Sequence, residues 1–315
     1  MEHIAVLFES KEILELTSVS VQESISMLET QSEFCCRINK EKYIETVNKL
    51  LQHIKRGDIY EINFCVEIFA ENIEINPQKV FNRLKVLTEA PFAQLYKAGD
   101  AWIICASPER FIKKQGSKLI TQPMKGTAPR GKNAEEDSRF KNTLAKSLKE
   151  QTENVMAVDV ARNDLSIVAK KGTVVTEKLF DVHTFKNVHQ MVSTVSCELK
   201  ENIRFENIIN ATFPPASMTG APKIKALELI KKYELSPRGI YSGCLGSIKE
   251  NGDFDFCVVI RSIIYDEKRK NVSFHVGSAV TANCNPEEEW NECLLKANAM
   301  LQALGTNKEK IKFLK

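Results

Sequence analysis

The sequence predicts an α+β fold of mainly antiparallel sheet. Helical periodicities alternate with adjacent pairs of strand-like runs, and short hairpins outnumber strand–helix–strand crossovers. No strong linker divides the 315 residues. Taken in order, residues 1–40 show no clear period. Over 41–56, Tyr43, Val47, Leu50, Leu51 and Ile54 recur at helical spacing until Gly57 stops the run. DIYEINFCVEIF follows with strand-like alternation through Ile59, Ile62, Phe64, Val66 and Ile68. Asn76-Pro77 opens a helix to about Leu87, because Asn caps and Pro tolerates the first turn.

Residues 93–120 read as strands joined by tight turns, with Ser107-Pro108-Glu109-Arg110 between two of them. The stretch 126–139 is expected to be a polar loop, followed by one long helix ending near 158. Strand patterns return at 173–180 and 190–199, and a helix starts near Ala221-Pro222. Three strands are expected at 241–248, 254–265 and 272–282, and Asn285-Pro286 opens a last helix. Trp290, Leu294, Ala297, Leu301 and Leu304 form its apolar stripe.

Composition narrows the functional classes. The chain is 43% hydrophobic and 27% charged, which is ordinary for a globular protein. Lys and Arg total 44 against 41 Asp and Glu with no long basic run, so no nucleic-acid partner is expected. Nine cysteines, an odd count without a CxxC pair, fit free thiols in a reducing cytoplasm better than zinc or disulfide frameworks. The opening MEHIAVLFESKE has an apolar run of only five residues, so neither a signal peptide nor a membrane span is expected there. Nothing later reaches spanning length.

Several side chains could carry chemistry. Glu289, Glu292 and Lys296 gather on a second stripe of the last helix, and Glu150 and Glu153 repeat the same carboxylate spacing on the earlier long helix. Two such pairs could converge on one hard cation, and oxygen ligands with retained waters would select magnesium. From spacing alone, a solvated acidic face is the simpler reading. Lys125 lies in TQPMKGTAPRG, whose Pro and Gly fix the backbone; as a nucleophile it would need a lowered pKa, and otherwise it is an ordinary loop lysine. Glu109 is either a partly buried general acid or a turn carboxylate. Ser217, Thr219 and Gly220 precede a helix start suited to an anion. Arg261, inside FCVVIRSIIY, either needs a carboxylate partner or faces solvent.

Nine segments appear in a fixed order: GDIYEINF, SPERF, TQPMKGTAPRG, ENVMAVDVARNDLSIV, VHQMVSTV, FPPASMTGAPKIKALELI, RGIYSGCLGSI, DFDFCVVIRS and NPEEEWNECLLKA. This series, spanning about 41–305, closely resembles the chorismate-binding enzymes. The resemblance implies a four-layer α/β/β/α sandwich with two orthogonally packed sheets. It implies a short N-terminal segment at 1–40, reduced relative to the family, a catalytic domain at 41–305 and a tail at 306–315. It implies Mg2+ on Glu153 and Glu292, with Glu150 and Glu289 as outer companions. Lys296 and a turn at Gly277, Ser278 and Ala279 would complete the pocket for the ring carboxylate of chorismate. Tyr241 and Arg261 are similar to the pair that grips the pyruvyl carboxylate, Ser217 to a hydroxyl meeting the substrate, and Gly126 and Thr127 to a backbone turn lining the ring.

Lys125 resembles the nucleophile of the family's aminodeoxychorismate synthases, where its anthranilate synthases carry alanine. The implied reaction is amination of chorismate at C4, with Glu109 protonating the departing hydroxyl and Lys125 attacking C2. Ammonia would come from a separate glutamine amidotransferase. Departures from the family pattern are Glu61 for a usual glutamine, Gln190 for a histidine common in anthranilate synthases, Ala279 for glycine and Pro215-Ala216 for Gly-Gly. The base lysine of isochorismate synthases would stand at Glu61, so its loss argues against adding water. His189 is read as structural.

Overall fold

The structure, a computed structural model, describes residues 33–186 and 188–314; the expectations for the extreme N-terminus lie outside them. Strand β1 (Phe34–Cys36) leads into α1 (Lys40–Lys55), whose cap Asn39 accepts a hydrogen bond from the Lys42 N–H. Strand β2 (Glu61–Ala70) is buried along nearly all its length, so its sequence alternation does not become an exposed face. Helix α2 (Pro77–Thr88) starts where Asn76-Pro77 predicts, with Asn76 accepting from the Lys79 N–H. Strands β3 (Phe92–Ala98), β4 (Ala101–Ser107), β5 (Arg110–Gln115) and β6 (Lys118–Thr121) form the expected hairpins.

The stretch 126–139 departs from expectation. Its first part belongs to β7 (Met124–Pro129), because a partner strand takes up its backbone groups, and helix α3 (Ala134–Lys146) already begins within it. The single long helix is in fact two. Ser147 is extended and caps α4 (Leu148–Val168) by accepting from the Glu150 N–H. Strands β8 (Val175–Thr184) and β9 (Val188–Glu198) are followed by a helix the periodicity did not reveal, α5 (Phe205–Thr212), then β10 (Gly220–Ala221), α6 (Lys223–Tyr233) and β11 (Cys244–Ile248).

The expected strand 254–265 is also two, β12 (Phe254–Val258) and β13 (Ser262–Asp266), and they lie in different sheets. Arg261, with φ +51°, turns the chain between them. Strand β14 (Asn271–Thr281) and α7 (Pro286–Ala303) follow as predicted. The expected tail instead contains β15 (Ile311–Phe313), which pairs parallel with β1.

One sheet has eight strands, in the order β15-β1-β2-β14-β13-β4-β3 with β10 beside β2. The other has seven, in the order β11-β12-β5-β6-β9-β7 with β8 beside β9. Every pairing except β1 with β15 is antiparallel. A core of Tyr43, Leu50, Phe64, Leu84, Phe274 and Leu301 joins α1, α2 and α7 to the first sheet. A second core, including Ile112, Leu165, Val195 and Ile208, joins α4 and α5 to the other. Ile103 and Cys105 meet Cys257 and Val259 where the two sheets touch. All nine cysteines are free thiols.

Candidate active site

Lys125 sits where β7 slips register against β9, between Met124 and Thr127. The expected turn at Gly126 and Thr127 is therefore a bulge within a strand. Gly126 has φ +87°, and a Cβ there would lie 2.9 Å from Glu150 Oε2, so only glycine lets this strand approach α4. The bulge directs Lys125 inward, where Nζ forms an ion pair with Glu61 at the start of β2. The two side chains are 8% and 4% exposed, so solvent barely screens the pair. Burial pulls the Lys125 pKa down, but Glu61, Glu153 and Glu109 together push it above the ordinary lysine value. The expectation of a lowered lysine does not hold in this state, because carboxylates surround the amine.

Glu109 stands in the two-residue link between β4 and β5, where the chain crosses from one sheet to the other. Its N–H donates to Ser107 Oγ at 3.2 Å, which fixes the turn. Burial pushes its carboxyl up to about 7, despite opposing contributions from Ser217 and Lys125. A carboxyl near 7 can hold and release a proton at neutral pH. Ser217 lies in the short 3-10 turn Ala216–Met218. It is close enough to moderate Glu109 but short of hydrogen-bond geometry, which leaves its buried Oγ without a partner.

The two acidic helices face each other. Burial raises the carboxyls of Glu150, Glu153 and Glu289, with Glu153 reaching about 7, and Glu292 of α7 adds its repulsion to Glu150 of α4. Burial also works against Glu292, but Lys296, Lys125 and Arg261 hold it below its usual range. Two lysines provide the expected relief. Lys296 pairs with Glu292 and donates to the Gly277 carbonyl at 2.8 Å. Lys149, which the sequence did not single out, is opposed by burial but raised overall by all four glutamates. Among the described residues, no three metal-ligating side chains stand close enough to hold an ion unaided. The oxygen-only donor set and its mutual repulsion fit a hard dication that takes two protein carboxylates and completes its shell from ligand and water.

Gly277, Ser278 and Ala279 do not form a turn. They lie within β14, opposite Cys65, Phe64 and Asn63 of β2. A Cβ on Gly277 would fall 2.5 Å from Cys65 Sγ, so close strand contact explains the glycine. Ser278 faces the helices and hydrogen-bonds the Tyr43 hydroxyl at 2.8 Å. Arg261 is half-buried and forms no ion pair among the described residues. Burial lowers its pKa, with Tyr241 and Glu292 opposing, and its one described hydrogen bond is a 3.5 Å contact to the Lys296 carbonyl. Tyr241 is buried and stacks on His275 at 5.1 Å between ring centroids.

His189 is fully buried, with Nδ1 3.0 Å from Thr184 Oγ1 and Nε2 3.0 Å from Asp137, which Arg130 also grips. That knot holds β8 and β9 to α3. Gln190 donates to Thr127 Oγ1 at 3.3 Å, while its own buried Oε1 has no partner. Shared electrostatics thus connect Glu61, Glu109, Lys125, Glu150, Glu153, Arg261, Glu292 and Lys296 into one site. Glu61 belongs to it as a direct partner of Lys125, and a carboxylate opening a mostly apolar strand was the available signal.

The family model for chorismate binding enzyme matches residues 9–302. This chain belongs to that family. The chain is 36% identical over 272 residues to an aminodeoxychorismate synthase of Streptomyces griseus, covering 86% of this chain and 37% of the relative. It is 33% identical over 284 residues to aminodeoxychorismate synthase component 1 of Bacillus subtilis, covering 90% and 60%. It is 32% identical over 265 residues to anthranilate synthase component 1 of Aquifex aeolicus, covering 84% and 53%. The chain thus spans roughly a third to three-fifths of these relatives. The crystal structure of anthranilate synthase component I from Streptococcus pneumoniae aligns with TM-score 0.77 at 28% identity, covering 85% of this chain and 59% of that one. Among the described residues, no helix is long and apolar enough to cross a membrane.

Proposed function

We propose that this chorismate-binding family member acts as an aminodeoxychorismate synthase component I, replacing the C4 hydroxyl of chorismate with ammonia to give 4-amino-4-deoxychorismate. The observation that carries this reading is a buried primary amine, Lys125, interacting with a carboxyl near neutrality, Glu109. Chorismate is a dianion. Arg261, a half-buried guanidinium with no ion pair among the described residues, suits one of its carboxylates, with Tyr241 beside it. The other would meet Lys296 and the acidic helices, where Glu153 and Glu292 would hold Mg2+ with Glu150 and Glu289 behind them. The cation would supply charge neutralisation for the ring carboxylate. Ser217, with its unpartnered hydroxyl, and the bulge at Gly126 and Thr127 would line the ring.

In this reading Glu109 gives its proton to the C4 hydroxyl, which leaves as water, while the Lys125 amine bonds to C2 and the ring double bonds shift. Ammonia then bonds to C4, the double bonds shift back, and the C2–N bond breaks to free the lysine. A glutamine amidotransferase on a separate chain would supply the ammonia. Free buried thiols support a reducing compartment such as the cytoplasm.

The test is incubation with chorismate, Mg2+ and ammonium, with the product identified by mass and chromatography. Addition of aminodeoxychorismate lyase should convert that product to 4-aminobenzoate. Direct appearance of fluorescent anthranilate would instead assign the chain to the anthranilate synthases. Lys125→Ala should abolish or divert amination while chorismate binding persists, and an unchanged product rate in that variant removes the covalent step.

A further inference from the structure

The ion pair between Glu61 and Lys125 has no role in the reaction as written above. An amine bonds to carbon only through its free lone pair, and Lys125 is held as an ammonium. Four elements present carboxylates to it: Glu61 from β2, Glu109 from the β4–β5 link, Glu150 and Glu153 from α4, and Glu292 from α7. Some group must take its proton before C2 can be attacked. Glu109 is committed to the departing hydroxyl, and the helix carboxylates act on Lys125 through longer-range electrostatics without a hydrogen bond among the described residues. Glu61 is the carboxylate in hydrogen-bond contact with Nζ, and it is 4% exposed.

Its surroundings suit that role. Glu61 opens β2 between two ladders: β10 on one side, opposite Ala221, and β14 on the other, opposite Thr281. The carboxylate is therefore set by sheet geometry rather than by a loop. A ligand that closes the pocket removes residual water, and with less water an ion pair loses its advantage over the neutral acid and amine.

We infer that Glu61 is the general base of the reaction, taking the proton from Lys125 Nζ as the amine attacks and returning it when the amine departs. The inference rests on the proposed covalent role of Lys125. In the first step the N–H bond breaks toward Glu61, the N–C2 bond forms, and the C4–O bond breaks with water leaving on the Glu109 proton. In the second, ammonia bonds to C4, the C2–N bond breaks, the neutral Lys125 amine recovers its proton from Glu61, and the C4 ammonium returns its extra proton to Glu109. No oxidant or further reactant is required.

The experiment compares the full chain with Glu61→Gln and Glu61→Asp, using chorismate, Mg2+ and ammonium, with lyase-coupled detection of 4-aminobenzoate across pH. Loss of the base should lower kcat in Glu61→Gln by about a hundredfold or more at neutral pH. KM for chorismate should hold steady, since the base does not bind the ligand. Relative to the wild-type rate at the same pH, the Glu61→Gln rate should also climb by about tenfold per pH unit on the alkaline side, as solvent takes the proton instead. Glu61→Asp should retain the wild-type pH profile at a reduced kcat. Wild-type kcat and pH profile in Glu61→Gln overturn the inference while leaving the functional reading intact. If Glu61→Gln does not fold, as judged by circular dichroism, Glu61→Asp decides: a reduced kcat with unchanged KM supports the base, and a wild-type kcat overturns it. A wild-type chain that makes no 4-amino product overturns both readings together.

Discussion

Two half-buried arginines, Arg238 before β11 and Arg261 between β12 and β13, are treated in opposite ways. Arg238 makes five hydrogen bonds: two to Glu234, one each to the carbonyls of Met218 and Asn63, and one to Ser242 Oγ. Burial works against its charge, yet the groups around it hold the guanidinium above its ordinary pKa. Arg261 is half-buried with no ion pair among the described residues and sits on a left-handed backbone that any residue but glycine enters at a cost. One arginine has its full complement of partners within the fold. The other has the charge and position but lacks an anion, and a dianionic ligand would provide it. The difference teaches that burial of a cation says little about function until its partners are counted.

The comparison can be broken or sharpened by experiment. The largest expected effect is on Arg238→Met, which strands the Glu234 carboxylate and should cost about 3–5 kcal/mol of stability by chemical denaturation. Arg261→Met should leave stability unchanged or raised, because it relieves a half-buried charge with no ion-pair partner among the described residues. It should weaken chorismate binding by about 2–5 kcal/mol, measured calorimetrically. If both variants lose stability alike, the contrast between them fails.

A third expectation concerns pH. The Glu109 carboxyl rises from 4.5 to about 7 on folding, so the folded chain binds this proton more tightly than the unfolded one. Its contribution to stability is full below about 4.5 and fades as pH rises toward 7. Amination needing the protonated acid should fall over the same upper limb, and Glu109→Gln should remove the limb together with most of the rate. The smallest effect is at His189, the sealed counterpart of Gln190 beside it. His189→Asn should cost about 1 kcal/mol per lost hydrogen bond in stability, with kcat unchanged. A large kcat loss there would reassign it to the chemistry.

Much of this was legible in the sequence because local rules decided it. Asn76 and Asn285 cap the helices that follow, and a capping side chain needs only its own first turn. The carboxylate pairs on α4 and α7 followed from helical spacing alone. Misreadings gathered where distant chain intervened. The bulge at Lys125 depends on β9, the conformation at Arg261 on a change of sheet, and the glycine at 277 on Cys65 across a strand pair. Ser147 broke an apparently continuous helix through an extended backbone that periodicity does not register.

By itself, then, the sequence determined the α+β class, most of the elements and the residue types available for chemistry, since these follow from periodicity, caps and collinear motifs. Only the tertiary structure decided that Lys125 is ion-paired with Glu61 and that Arg261 forms no ion pair among the described residues. A pKa or an unpaired charge belongs to no residue alone. It is set by which groups from remote strands arrive within a few ångströms, and by how much water they exclude.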